Sequence, residues 1–317
     1  MNRYFTTRLN CPVCKSTNLR NIYSCSFISS PIKEFLEGFY LPQGKIEFEY
    51  LKEAQFILDK CGDCGLIFQK EIPNEFLMSK LYEEWIDPEK NFERNLNSND
   101  LFYRSLYAQE VMVIIAFLKI VSSQLKMLDF GMGWGKWICM ASAFGCNCYG
   151  VELSNSKSEY AKSRGIKVIT YNEISDHNFD FINTDQVFEH IPEPFETLCH
   201  MKKSLKPKGV IRISVPDGQN IERRLKIEDW SAPIGSPNSL NPVSPLEHIN
   251  CFNRESLIKM ARLAGFEIVQ MPILLQLSYA TNWSTPKNIL KNFIYPIYRN
   301  IFLKGTNLYF RKKKDHK

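Results

Sequence analysis

Alternating apolar and polar runs in the second half of the chain predict strands and helices in turn. Short apolar runs that end at Gly, Pro or Asn have the length of buried strands, whereas apolar residues at every third or fourth position indicate helices. Strands are predicted over 126–130, 147–152, 167–171, 179–183, 209–215, 266–271 and 307–311, and helices over 136–144, 194–205 and 254–264. This order favours an α/β fold: a Rossmann-like, doubly wound and mostly parallel seven-stranded sheet with helices on both faces.

The first 122 residues have a different pattern and predict two further regions. Residues 1–85 hold two pairs of cysteines with short strand-like runs between them, which indicates a small zinc-ribbon-like module. Residues 86–122 are predicted to form a helical connector, in which N-cap residues at 97–100 precede apolar residues at helical spacing. The sheet domain then covers 123–317. The apolar and aromatic segment 289–302, with Lys and Arg interleaved, is predicted to pack as an additional helix before the last strand, and the alternative is that it lies on a membrane surface. No uncharged apolar run approaches the ~20 residues of a membrane span, and no secretory signal is expected.

A glycine-rich turn follows the first predicted strand of the sheet domain. Gly131, Gly133 and Gly135 stand at alternate positions, where glycine lets a ligand approach the backbone at the start of a helix with free N–H groups. The third glycine comes too early for the G-x-G-x-x-G spacing of dinucleotide sites. Asp129, two residues before the turn, would repel a pyrophosphate but suits the ammonium group of a methionine moiety.

An acidic residue also ends the second predicted strand. Glu152 follows Gly131 by 21 residues and is predicted to accept hydrogen bonds from both ribose hydroxyls of a nucleotide-like ligand. The alternative is a solvent-facing acid at a strand end. The glycine turn that precedes Glu152 favours the ribose role.

The turn and Glu152 begin an ordered series of motifs that resembles the class I S-adenosylmethionine-dependent methyltransferases. The later members of the series are FEHIP at 188–192, LKPKG at 205–209, EHINCF at 247–252 and AGF at 264–266. The resemblance covers about residues 123–275 and departs from the family at Lys208, where glycine is usual. It implies that Asp129 and Gly131 hold the methionine portion of the cofactor and that Glu152 holds the ribose.

The same resemblance implies contacts for residues that follow the later strands. Leu153 would lie against the adenine, and Asn172 or Glu173 would touch the adenine edge. Gln186 would line the site near the methyl group.

Four cysteines form two C-x-x-C pairs, Cys11 with Cys14 and Cys61 with Cys64. Four thiolates in two such turns can complete a tetrahedral shell around a structural zinc ion. The 46 residues between the pairs exceed the ~15–20 usual in zinc ribbons, so inserted strands are expected there. A redox role is the alternative, although neither pair begins a thioredoxin-like βαβ unit. Residues 9–70 also resemble the N-terminal zinc-binding module of sugar methyltransferases.

Methyl transfer to oxygen or carbon benefits from a base that takes the acceptor's proton. The candidate catalytic residues are His190, after the fourth predicted strand, and His248 with the adjacent Glu247, which follow the fifth. The alternative is that both histidines only order their loops. The loop at 231–245 is predicted to cover the acceptor. Four aromatic residues are candidates either to stack on the acceptor or to fill the core: Tyr40, Tyr82, Trp85 and Trp230.

The formal net charge of +6 includes a basic run at Arg311–Lys314. We expect a solvated tail with at most weak contact with a membrane surface, and no nucleic-acid partner. Ten cysteines without a secretory signal predict a reduced, cytoplasmic setting. The leading prediction is an S-adenosylmethionine-dependent methyltransferase that acts on a small molecule, preferably a nucleotide-linked or surface-glycan sugar. The alternatives are a quinone, natural-product or RNA acceptor, and a non-catalytic zinc-ribbon adaptor with a methyltransferase-like fold.

Overall fold

The computed structural model describes residues 3–97 and 100–314. Its strands are β1 Phe5–Thr7, β2 Leu19–Ser26, β3 Gln55–Cys61, β4 Ile67–Gln69, β5 Glu71–Pro73, β6 Lys126–Phe130, β7 Asn147–Val151, β8 Lys167–Val168, β9 Phe179–Asp185, β10 Leu205–Ser214, β11 Asn250–Cys251, β12 Phe266–Val269 and β13 Asn307–Lys312. Its helices are α1 Ile32–Tyr40, α2 Glu75–Lys80, α3 Pro88–Asn97, α4 Asp100–Leu118, α5 Lys136–Ala143, α6 Asn155–Ser163, α7 Pro194–Ser204, α8 Ile221–Ile227, α9 Arg254–Leu263, α10 Ile273–Ser278 and α11 Pro286–Asn300. Two of the predicted N-cap residues, Ser98 and Asn99, lie outside the described residues.

The described chain forms two compact units, and each unit is built from three separate stretches of the sequence. Unit 1 contains the described residues up to Asn95 together with Phe188–Glu196 and Val215–Leu263. Unit 2 contains Leu96–Val187, Thr197–Ser214 and the described residues from Ala264 onward. These units differ from the predicted division at residues 85 and 122, because two later segments of the predicted sheet domain join the N-terminal module.

Unit 2 is built on a seven-stranded sheet with the order β12-β13-β10-β9-β6-β7-β8. The pairs from β10 to β8 are parallel, and β13 runs antiparallel to both of its neighbours. All seven predicted strands are present, so the predicted α/β fold with a mostly parallel sheet is confirmed. Because β6, β7 and β9 are parallel, the residues that follow them lie at the same edge of the sheet, where ligands bind in open α/β folds.

Some elements differ from the predicted ones for an identifiable reason. Helix α6 was not predicted, because its sequence is mostly polar and it turns the small residues Ser158 and Ala161 inward. Helices α8 and α10 were also missed, and each has only six or seven residues, which is too short for a clear periodicity. Strand β8 keeps only two of the five predicted residues.

Unit 1 contains a four-stranded sheet with the order β11-β4-β3-β2 and a separate pair of β1 with β5. The antiparallel strands β2 and β3, with α1 between them, account for the long gap between the two cysteine pairs. Strand β11 comes from late in the chain and pairs with β4, with Asn250 opposite Phe68. The predicted cover loop at 231–245 is part of this unit, and its Leu240 and Val243 are buried in the apolar core.

A buried arginine fastens the late strand to the module. The guanidinium of Arg8 donates to the carbonyl oxygens of Gln69 at 2.9 and 2.6 Å and of Ile249 at 2.6 Å. It also donates to the side-chain oxygen of Asn250 at 2.8 Å. Burial lowers the pKa of Arg8 to about 9, so the side chain stays charged at neutral pH. The bonds to Ile249 and Asn250 join residues that are 241 and 242 positions apart in the sequence.

Among the described residues, helix α4 alone has the length and composition that a bilayer-spanning helix needs, over Leu101–Leu118. Only 17% of that window is buried inside the unit. Arg104 and Glu110 lie within it, which is why no uncharged apolar run of this length was found in the sequence.

We expect Arg8→Met to lower the free energy of unfolding by about 3 kcal/mol, because two buried carbonyls and an amide oxygen lose a charged donor. Urea unfolding followed by circular dichroism measures the change. Arg20→Met is the matched control, since Arg20 is exposed and makes a surface ion pair with Glu222. An equal effect of the two substitutions would show that Arg8 does not join the segments.

Candidate functional site

The glycine turn leads from β6 into α5 in unit 2 and holds backbone conformations that favour glycine. Gly131, Gly133 and Gly135 have φ angles of 71°, 55° and 69°. A Cβ atom on Gly131 would lie 2.6 Å from a methyl group of Val187, whereas one on Gly133 would meet nothing within 4 Å. The turn is therefore packed from behind at Gly131 and open at Gly133, as a backbone that meets a ligand needs to be.

Asp129 lies at the end of β6 and is 3% exposed. Its Oδ1 accepts a hydrogen bond of 2.8 Å from Nδ2 of Asn183, which stands opposite it on β9. Burial raises the pKa of Asp129 to about 7, and the bond from Asn183 opposes that rise. A partly protonated carboxyl in this position gains its full charge when a cationic ligand group binds beside it.

Arg212 supports this carboxylate from β10, through Asn183. Its Nη1 donates to Oδ1 of Asn183 at 2.8 Å, and its Nη2 forms ion pairs with Glu110 at 3.2 Å and Asp185 at 3.4 Å. We did not single out Arg212 in the sequence. The available signal was a charged residue in the middle of the buried strand β10, which is costly unless the charge is paired.

Glu152 follows β7 and folds back on the glycine turn. Its two carboxylate oxygens accept backbone N–H bonds from Gly133 at 2.9 Å and from Ser154 at 3.0 Å. A carboxylate has about four acceptor positions, so two bonds leave capacity for ribose hydroxyls. Glu152 is thus oriented by the turn, and the ribose role stays a prediction.

The other predicted cofactor residues lie on loops that follow β7, β8 and β9. Leu153 is 91% exposed. Asn172 is exposed, whereas Glu173 accepts two hydrogen bonds from Thr170 and serves its own loop. Gln186 is exposed and has a φ of 56°, a strained value for a residue other than glycine. The roles of these residues also stay predictions.

Unit 1 brings the four cysteines of the two pairs together. The sulfur atoms of Cys11, Cys14, Cys61 and Cys64 all lie within 4.8 Å of one another. Cys11 and Cys64 are 3.4 Å apart, and Cys14 and Cys61 are 3.5 Å apart. Zinc–sulfur bonds of about 2.3 Å in a tetrahedron separate the sulfurs by roughly 3.8 Å, so the four residues fit a structural zinc ion.

The two cysteine turns have the same backbone form. After each pair, Lys15 or Gly65 has a positive φ, of 58° and 77°, and its N–H donates at 3.0 Å to the carbonyl of the first cysteine. The thiol of Cys64 lowers the pKa of Cys11 to about 5 through a hydrogen bond. The same bond raises the pKa of Cys64, so this pair shares a proton that a bound zinc ion would displace.

The histidine cluster of unit 1 consists of His190, His248, Glu189 and Glu247. The two imidazole rings meet edge to face with centroids 4.8 Å apart. Nδ1 of His190 lies 2.9 Å from the carbonyl oxygen of Glu247, and Nδ1 of His248 contacts the carbonyl oxygen of Asn241. Since a carbonyl only accepts, each Nδ1 carries a proton, and each Nε2 of a neutral ring keeps a lone pair.

Glu189 was not singled out in the sequence, yet it is 1% exposed and its Oε1 lies 3.9 Å from Nε2 of His190. Burial lowers the pKa of His248 to about 4, which keeps this ring neutral. The side-chain carboxylate of Glu247 accepts a bond of 3.2 Å from the hydroxyl of Tyr40. Of the four aromatic candidates, Tyr82 contacts His190 at 3.2 Å, whereas Tyr40, Trp85 and Trp230 belong to the apolar core.

Asn250 positions the loop that carries His190. Its Nδ2 donates to the carbonyl oxygens of Phe188 at 3.0 Å and Ile191 at 2.7 Å. The side-chain oxygen of the same residue accepts from Arg8. The histidine cluster therefore depends on the link between β11 and the N-terminal module.

Comparison with known proteins agrees with the geometry of unit 2. The model of a methyltransferase domain family matches residues 100–271, which is more than half of the 317 residues. The chain belongs to this methyltransferase domain family. The predicted enzyme class is confirmed: the domain is an S-adenosylmethionine-dependent methyltransferase domain. The roles of the glycine turn, Asp129 and Glu152 toward the cofactor stay predictions.

Individual relatives of the methyltransferase domain are distant. A ubiquinone biosynthesis O-methyltransferase of Pasteurella multocida (strain Pm70) is 25% identical over 169 residues, which cover 46% of this chain and 63% of that protein. The plantazolicin methyltransferase BpumL, solved with SAH, is 14% identical with a TM-score of 0.48 and covers 75% of this chain and 95% of its own. A TehB-like SAM-dependent methyltransferase from Corynebacterium glutamicum is 16% identical, with a TM-score of 0.35, and covers 65% and 88%. The assignment therefore depends on the family match.

We expect the affinity for S-adenosylhomocysteine to rise about tenfold between pH 5.5 and 7, because the raised pKa of Asp129 keeps the carboxyl protonated in the acid range and only the ionised form pairs with the ligand's ammonium group. Calorimetric titration at several pH values measures this. Asp129→Asn should bind more weakly and remove the pH dependence, whereas the exposed control Asp176→Asn should preserve both. A pH dependence that survives in Asp129→Asn would assign it to another group.

We expect protein purified without chelator to contain about one zinc ion per chain, and Cys61→Ser to lose the metal and melt at a lower temperature. Metal analysis and thermal unfolding measure both effects. Cys25→Ser is the control, since Cys25 lies in the same unit but outside the cluster, where its thiol contacts the carbonyl oxygen of Ser30. If Cys61→Ser leaves the zinc content unchanged, the metal binds elsewhere. The alternative site would then be Glu189, His190 and His248, the other group of described residues whose donor atoms lie close together.

Proposed function

We propose that this chain transfers the methyl group of S-adenosylmethionine to a sugar, either nucleotide-linked or part of a surface glycan. Bound at the glycine turn of unit 2, S-adenosylmethionine supplies an electrophilic methyl group on a sulfonium. Asp129 and Glu152 hold the methionine and ribose portions in this proposal. What the protein adds is alignment of the acceptor with that methyl group and removal of a proton from the acceptor.

The observation that carries the proposal is the histidine cluster. Both rings are held by backbone carbonyls at Nδ1, so each neutral ring presents an acceptor nitrogen at Nε2. His190 is the better base of the two, because the Glu189 carboxylate 3.9 Å away stabilises the charge that the ring gains with a proton. The low pKa of the buried His248 makes it a weak base, and we assign it to orienting His190.

The preference for a sugar acceptor is supported by the cysteine module. The module resembles that of sugar methyltransferases, and in this protein it belongs to the same compact unit as His190 and His248. A zinc ion there would brace the sheet to which β11 and the histidine cluster are attached. The metal's proposed role is therefore structural support for the acceptor residues.

A quinone is the second candidate acceptor, because the curated relative with 25% identity is a ubiquinone biosynthesis enzyme. Among the relatives described above, none of comparable identity supports a natural-product or RNA acceptor, and no contact among the described residues favours either one. The adaptor alternative is disfavoured by the complete set of Asp129, three glycines and Glu152. We also propose that the protein acts in the cytoplasm, where its ten cysteines would stay reduced.

The acceptor is tested by supplying methyl-labelled S-adenosylmethionine with a panel of nucleotide-linked sugars and demethylated quinones. We expect label in a sugar product. We further expect His190→Ala to lower kcat at least 100-fold while the affinity for S-adenosylhomocysteine stays unchanged, since a positioned base contributes about 10²–10⁴-fold. Glu189→Gln should lower kcat less and shift its pH profile.

The control is His200→Ala, which removes a partly exposed histidine stacked on Tyr171 in unit 2. Label in a quinone and not in any sugar would overturn the sugar proposal. Unchanged turnover in His190→Ala would overturn the assignment of the base. Failure to bind S-adenosylhomocysteine, together with tolerance of Asp129→Ala, would favour the adaptor.

A further inference from the structure

Helix α11 and the turn that follows it carry their apolar side chains on the outside. All ten large apolar side chains between residues 289 and 303 are exposed, from 36% to 65% of their surface. A helix on the surface of a water-soluble domain normally turns its apolar stripe toward the core and its polar residues toward water. The exposed face of α11 is therefore unusual for a helix that meets only water.

Two asparagines on one face of α11 form hydrogen bonds with the segment that precedes the helix. Asn288 and Asn292 lie four positions apart on one face, and both donate to Asn282, at 2.8 and 2.9 Å. Side chains on the opposite face, such as Leu290 and Ile297, are exposed. The two bonds attach the first part of α11 to the segment before it.

The exposed apolar surface continues beyond α11. Leu101 at the start of α4 is 79% exposed and Leu274 on α10 is 78% exposed. A bond of 2.7 Å between the hydroxyls of Ser105 and Thr281 holds the first part of α4 against the segment that leads into α11. We call residues 286–304, together with the exposed start of α4, the α11 surface.

The charged residues in the C-terminal part of the described chain are all positive. Residues 268–314 contain eight Lys and Arg residues and no Asp or Glu. Their charge of +8 exceeds the +6 of the whole chain, so the remaining residues carry a net −2. Lys287, Lys291 and Lys304 lie within the α11 surface itself. A cationic surface with a large apolar face complements an anionic lipid headgroup layer over an acyl interior.

The aromatic residues of the surface agree with this complementarity. Tyr295 and Tyr298 are 51% and 41% exposed, and Trp283, just before the surface begins, is 43% exposed. Amphipathic rings of this kind favour the boundary between headgroups and acyl chains. A second copy of the chain would bring the lysines of one α11 surface close to the same lysines of the other. RNA would match the charge but would leave the aliphatic side chains of the surface without partners.

We propose that the α11 surface docks the protein on an anionic lipid bilayer, with α11 lying in the plane of the headgroups. Docking inserts apolar side chains such as Leu290 and Ile301, and the lysines meet the headgroup phosphates. This role is independent of the identity of the methyl acceptor.

The test is co-sedimentation of the full-length protein with vesicles of phosphatidylcholine that contain about 30% phosphatidylglycerol. We expect binding that weakens when the anionic lipid is left out or salt is raised. The double variant Leu290→Asp, Ile301→Asp should bind at least tenfold more weakly. Lys287→Gln with Lys291→Gln should bind several-fold more weakly. The matched control is Ile234→Asp, which changes a 76% exposed side chain in unit 1 and should bind as the parent does.

Each variant should bind S-adenosylhomocysteine as the parent does, which separates loss of docking from loss of fold or of methyl transfer. The proposal is overturned if the parent protein does not bind anionic vesicles, or if the Leu290 and Ile301 substitutions leave vesicle binding unchanged. It is also overturned if light scattering shows a dimer that the double variant dissociates, or if RNA outcompetes vesicles for the parent protein.

Discussion

The buried carboxylate of Asp129 is the group around which the cofactor side of this protein is organised. Strand register places Asp129 on β6 opposite Asn183 on β9, and Asn183 opposite Arg212 on β10. Asn183 uses both ends of its amide, donating to the acid and accepting from the arginine. A negative charge is costly at this depth unless such a network partly compensates it. Parallel pairing of three strands therefore creates a site that is ready for a cationic ligand group.

A second buried cation has the corresponding role in unit 1. Arg8 joins the N-terminal module to residues 249 and 250, and Asn250 passes that connection on to the loop of His190. The histidine cluster is consequently held by contacts that begin at the N-terminal module. The cysteine module therefore has a structural role: it completes the compact unit to which the two histidines belong.

The sequence was most informative where structure depends on neighbouring residues. The predicted strand at Lys126–Phe130 matches β6, because its apolar run ends at a glycine turn with unmistakable spacing. The cysteine pairs were also predicted, because each C-x-x-C spacing lies within four neighbouring residues. Helix α6 was not predicted, because its inward residues are small and give no stripe of large apolar side chains. Glu189 was not predicted, because nothing in the neighbouring sequence shows that the fold buries it beside His190.

Local sequence patterns and contacts between distant residues thus determine different parts of this structure. Local sequence patterns predicted the succession of strands along the chain, the glycine turn and the two C-x-x-C pairs, since glycine's conformational freedom and side-chain periodicity act over only a few residues. The tertiary structure alone decided that Asn183 and Arg212 support Asp129, that β11 joins β4 and that His190 meets His248. Those contacts arise from burial and strand register, which bring residues together across as many as 242 positions. No local pattern records which distant partner will satisfy a buried charge.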